Sequence, residues 1–81
     1  MKVVIAKVDE VFFDGEARAV TLPGADGELT VLAEHMPLIT TLKEGVITVR
    51  PASAQGSGEA MRFPIQSGIL EVRRDGATVI L

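Results

Sequence analysis

Apolar residues recur at every second position in short runs along this 81-residue chain, and Gly, Pro and Asp-Gly separate the runs. A period of two marks strands with one buried face, because successive side chains on an extended backbone point to opposite sides. In Gly45–Arg50, Ile47 and Val49 face one way and Thr48 and Arg50 the other. Leu70 and Val72 likewise oppose Ile69, Glu71 and Arg73. After the Asp75-Gly76 turn, Val79 and Leu81 oppose Thr78 and Ile80, so the chain closes on a hairpin. The pattern predicts strands at 2–8, 11–14, 16–22, 28–32, 37–41, 45–50, 60–65, 68–73 and 77–81. No segment carries an apolar stripe at i, i+3 and i+4 of helical length.

About nine to ten short strands cannot hide their apolar faces in one open sheet, so the expected fold is all-β, an antiparallel β-sandwich of two packed sheets. A chain of 8.6 kDa divides into no second core, which makes residues 1–81 a single domain. Pro64 lacks a ladder donor and places its strand at an edge or a bulge. Pro51–Gly58 holds turn formers without an apolar pattern and is expected to be a flexible surface loop. The opening Met1–Val8 run is broken by Lys7 and then Asp9-Glu10 before a signal-peptide core can form, and it reads as a first strand. No apolar window is long enough to cross a bilayer as a helix, so membrane association is expected only through a partner.

Composition narrows the function. Hydrophobic residues make up 47% of the chain and mean hydropathy is +0.33, which is apolar for a domain with so much surface to cover. Part of that surface is expected to be shared with another subunit. Aromatics are 4%, without Trp or Tyr, and the net charge is −3. Stacking platforms and a basic stripe are both missing, so nucleic acid is not an expected partner. There is no Cys, which excludes disulfides and thiolate metal sites and fits an intracellular setting.

Catalytic chemistry finds little support. His35 is the single histidine, so neither a His-His nor a Cys-His pair can be built within one chain. A carboxylate-histidine site from Glu28, Glu34 and His35 is disfavoured because neighbours on a strand point apart. His35 suits a register-fixing hydrogen bond, since imidazole donates and accepts at once. The glycines fall between strands, with neither GxxxxGK[ST] nor GxGxxG, and no serine sits in GxSxG. No cofactor, metal or catalytic residue is expected. Glu28, after the Asp26-Gly27 turn, presents its carboxylate to solvent while Leu29 anchors the strand. Met36–Thr40 reads as an extended segment in which Leu38 and Ile39 point to opposite faces, either one toward the core and one toward a partner or both into core packing.

The order of these fragments carries a resemblance. Phe13-Asp14-Gly15, Pro23-Gly24, Gly27-Glu28-Leu29, His35-Met36-Pro37-Leu38, Thr40-Thr41-Leu42-Lys43-Glu44-Gly45-Val46 and Ser67-Gly68-Ile69-Leu70-Glu71-Val72 together resemble the amino-terminal sandwich of the epsilon subunit of F-type ATP synthases. The resemblance implies a non-catalytic central-stalk (rotor) subunit of a proton- or sodium-translocating synthase, which links the gamma subunit to the membrane c-ring and couples ion flow to ATP synthesis. It implies a peripheral location on the cytoplasmic face of a bacterial inner membrane. Carried over residue by residue, Glu28 with Asp26, Glu34 and His35 would form the edge that meets the polar loops of the c-ring, with Arg18 adding to it. Leu38, Ile39 and Thr40 would hold the gamma subunit. Proteins similar to this one usually continue into a two-helix hairpin that restrains ATP hydrolysis and in some bacteria binds ATP. If the chain is complete at Leu81, the resemblance implies coupling without that brake or that nucleotide site. Two departures stand out: Ala33-Glu34 replaces a common Pro-Gly before the histidine, and Gln66-Ser67-Gly68 replaces Ser-Gly-Gly, so both corners are expected to turn differently. The competing expectation is a stand-alone small-molecule-binding or enzymatic β-domain, which a concave pocket with converging polar groups would favour.

Overall fold

The longest strand explains the architecture. In the computed structural model, which describes residues 1–52 and 60–81, β2 runs unbroken from Glu10 to Gly24. It therefore replaces two of the expected strands. Residues 10–16 of β2 pair with β1 (Lys2–Lys7), whereas residues 17–24 pair with β3 (Gly27–Leu32) and β5 (Gly45–Pro51). Gly15 does not break the strand, because it lies in register with Val3. The bend comes later, where the register to β5 shifts between Ala17 and Ala19 and leaves Arg18 as the extra residue. The first layer has the order β2-β1-β8-β7-β4 and the second β3-β2-β5-β6, with β4 (Leu38–Leu42), β6 (Met61–Ile65), β7 (Gly68–Arg73) and β8 (Gly76–Ile80) completing the described strands.

The expected β-sandwich is thus present, with one difference from a purely antiparallel ladder. β1 and β8 run parallel, Lys2 beside Gly76 through Ala6 beside Ile80. The first and last strands have no turn between them to impose an antiparallel pairing, so only the packing of the ends decides their direction. Gly76 permits this approach, because a Cβ there would collide with the Lys2 carbonyl oxygen. Pro64 sits on β6, which among the described residues pairs only with β5 and is an edge strand there, as expected. The loop expected at Pro51–Gly58 lies, after Ala52, outside the described residues.

Inward side chains from both layers form one core: Val3 and Ile5 from β1, Val20 and Leu22 from β2, Val31, Ile47, Val49, Leu70, Val72 and Val79 are all buried. Phe13 of the first layer meets Phe63 of the second edge-to-face, with ring centroids 6.1 Å apart. No buried polar or charged residue occurs among the described residues. The chain start is tied to the bend of β2: the Met1 ammonium donates to the Ala17 carbonyl at 3.0 Å and lies 3.3 Å from the Glu16 carboxylate. The accessible surface is 5100 Å², somewhat above the roughly 4,700 Å² that size scaling gives for this mass.

Candidate functional site

The β2–β3 turn occupies Ala25-Asp26, and Gly27 opens β3 with φ 135°, a backbone state that suits glycine. This hairpin lifts Asp26 and Glu28 to one end of the sandwich. The end of β4 is fastened beneath it, since Ala25 N–H donates to the Thr41 carbonyl at 3.0 Å and Lys43 N–H to the Pro23 carbonyl at 2.9 Å. The result is a surface depression of about 350 Å³ lined by Gly24–Leu29, His35, Leu38 and Thr40. Asp26, Glu28 and His35 therefore meet in one place, although His35 lies on a different segment. His35 is half-buried, and its Nδ1 is 2.7 Å from the Met36 carbonyl. A carbonyl only accepts, so Nδ1 carries the proton and a neutral ring keeps Nε2 as an acceptor.

Residues 33–37 connect β3 to β4 and are not strand, so the argument that Glu34 and His35 point apart as strand neighbours does not apply. They separate because the chain turns. Glu34 adopts φ 63°, the left-handed region, and lines a second depression with Met1, Ala33, Arg74 and Asp75. The Ala33-Glu34 corner thus makes a left-handed turn without glycine. Gln66-Ser67 needs no such state, since Glu34 is the one non-glycine residue with positive φ among those described. Among the described residues no group of three His, Cys, Asp or Glu side chains could hold a metal ion.

The three residues expected to hold the gamma subunit divide between two surfaces. Leu38 packs against the core margin and shares the depression with Thr40, while Ile39 points outward and is 73% exposed. Register extends the outward surface beyond β4. Ile39 lies beside Glu71, and a row runs from Thr41 through Ile69, Ile80 and Ala6 to Val11 across five strands. Ile69 and Ile80 are each 51% exposed and Val11 61%, so the outer face of the first layer is apolar at one end. At the other end, Lys2 pairs with Asp14 at 3.1 Å and Arg73 with Glu71 at 3.3 Å. The sequence signal for this face was adjacent apolar residues in one strand, Ile69-Leu70 and Val79-Ile80, which put apolar groups on both sides.

A sandwich with these connections can be compared with known proteins. A model of the family described as "ATP synthase, Delta/Epsilon chain, beta-sandwich domain" matches residues 1–81. The chain belongs to this family. Within it, the chain is similar to "ATP synthase epsilon chain 2" of Burkholderia orbicola, 40% identical over 80 residues that make up 99% of this chain and 51% of that protein. It is 44% identical to the epsilon chain of Delftia acidovorans over 76 residues, 94% of this chain and 52% of that one. The chain thus spans about half the length of the curated relatives it matches. The sandwich also superposes on a chain of the Euglena gracilis mitochondrial ATP synthase OSCP/F1/c-ring assembly, with TM-score 0.83 at 24% identity, covering 96% of this chain and 48% of that one. A chain of the Tetrahymena thermophila mitochondrial central stalk and c-ring gives TM-score 0.76 at 20% identity, covering 99% and 61%. These two likenesses establish that the delta/epsilon sandwich is shared as a fold.

Proposed function

We propose that this domain is a non-catalytic rotor element of an F-type ATP synthase that joins the gamma subunit to the c-ring and helps couple ion flow to ATP synthesis. Family membership supports the reading, and one structural observation carries it: a single rigid core presents two separate contact surfaces of different chemistry. The depression at the loop end is rimmed by Asp26, Glu28 and His35, with Leu29 and Leu38 also lining it. The flank bearing Ile69, Ile80 and Val11 is apolar, with the exposed Ile39 at its margin beside Glu71. A torque-bearing joint needs two grips that do not yield relative to each other, and close-packed layers supply that stiffness.

In this reading Glu28, Asp26 and His35 meet the c-ring loops. Ile39 leads the flank that holds gamma, and Leu38 and Thr40 brace the strand between the two. Glu34 lies outside that depression and lines a separate one with Met1, Ala33, Arg74 and Asp75. Exposed charges at that edge set orientation more than affinity, since each surface ion pair is worth at most about 1 kcal/mol. The domain would lie peripherally on the cytoplasmic face of a bacterial membrane. The depression that gathers Asp26, Glu28 and His35 suits the small-molecule-binding or enzymatic alternative, and family membership supports the rotor reading over it.

The test is a pair of variants in the assembled synthase. Glu28→Lys should weaken attachment to the membrane sector while leaving co-purification with gamma intact. Ile39→Asp should do the reverse. Equal losses at both contacts for either variant would contradict the two-surface joint.

A further inference from the structure

The outer face of the second layer carries a charge of the wrong sign for this chain. The whole sequence has 11 acidic and 8 basic residues, yet residues 17–24 of β2, together with β5 and β6, contain three arginines and no Asp or Glu, and β3 adds a single outward carboxylate, Glu28, opposite Pro23 at the far corner of the face. Alternation sends all three outward. Ile47 and Val49 are buried, so Arg50 faces solvent; Phe63 and Ile65 turn inward, so Arg62 faces out on the neighbouring strand. Arg18 is the extra residue at the bend of β2 and is exposed between the buried Ala17 and Ala19. Arg50 lies opposite Ala19 and Arg62 opposite Thr48. Thr48 continues a row of hydroxyls through Thr21 to Thr30, the last two 3.1 Å apart. The ion pairs among the described residues all lie elsewhere, on the first layer and at the chain start.

We infer that this arginine-threonine face docks an acidic, extended polypeptide segment, as a third contact surface whose centre, at Arg50 and Arg62, lies away from the Glu28 corner. All three cations are arginine and none is lysine. A guanidinium offers a planar fork that takes a carboxylate with two parallel hydrogen bonds, whereas an ammonium acts as a hydrated point charge. The arginines sit on three successive strands, so they span about 10 Å across the sheet. An extended chain with carboxylates at every second residue, about 7 Å apart, places two of them over that span. The threonine row supplies further donors between the arginines. The face lacks aromatic residues and consists of sheet, without the deep apolar wedge that a membrane-embedded surface would use.

The test uses the chain as it stands and a fluorescent eight-residue peptide of alternating Glu and Ser, followed by anisotropy across ionic strength. Binding should appear at low salt and weaken as salt rises. The double variant Arg50→Glu/Arg62→Glu should bind at least tenfold more weakly. The control Lys43→Glu/Arg74→Glu changes net charge identically at other exposed sites and should stay within about twofold of the parent. Thermal melts of both variants would show that each remains folded. No binding at low salt, or equal weakening by the control, would overturn the inference. Preferential capture by anionic phospholipid vesicles through the same arginines, without peptide binding, would also overturn it.

Discussion

Replacing Glu34 by glycine should stabilise this domain, although Glu34 lies on the surface. Its backbone is held at φ 63°, where an ordinary side chain brings Cβ too close to the following carbonyl and costs about 1–2 kcal/mol. The side chain returns little of that. It is exposed and forms no ion pair or hydrogen bond among the described residues. Glycine removes the steric penalty but frees the unfolded chain, an entropic loss of about 0.5–1 kcal/mol. The net gain is about 0.5–1 kcal/mol. For a domain of this size that corresponds to a rise in Tm of about 2–8 °C. The measurement is thermal and urea unfolding of the parent, Glu34→Gly and Glu34→Ala side by side. Alanine keeps the left-handed strain and removes only the carboxylate, so it should be no more stable than the parent. If the alanine variant gains as much as glycine, the benefit comes from removing a charge and the backbone argument fails.

Three further outcomes follow from packing and electrostatics. Gly76→Ala would drive a Cβ into the Lys2 carbonyl and should cost about 1–3 kcal/mol as an overpacked contact, with faster amide exchange in β1 than in β5. Leu70 is fully buried in the first layer, and Leu70→Ala should lose about 2–5 kcal/mol in urea unfolding. Lys2 and Asp14 are paired at 3.1 Å with both side chains about half-exposed, 53% and 54%. Asp14→Asn should therefore change stability by less than about 1 kcal/mol at low salt, and by less again at high salt, where screening already weakens the pair.

The partial agreement between sequence and structure has a physical origin. Alternation alone groups Ile47 with Val49, Leu70 with Val72 and Val79 with Leu81 on single faces, and all of these are buried except Leu81, which is half-buried at the core margin. Burial on one face of a strand is a local property with a fixed period. The continuity of β2 was not legible, because Gly15 looks like punctuation until Val3 is seen beside it. The gathering of His35 with Asp26 and Glu28 was foreseen only through resemblance, since no local rule brings a connecting segment onto a neighbouring hairpin. The left-handed turn at Glu34 defied expectation because propensity disfavours such a state for glutamate, and the surrounding hairpin and β4 override that preference.

The one-dimensional chain, then, settled most of the strand segments outside β2, which face of each is apolar, where the Asp26-Gly27 and Asp75-Gly76 turns fall and which fragments mark the family, all consequences of short-range geometry. The folded arrangement alone decided that the chain's two ends lie parallel, that one strand serves both layers, and which exposed side chains share a surface. Those outcomes depend on contacts between residues far apart in sequence, where neither periodicity nor propensity reaches.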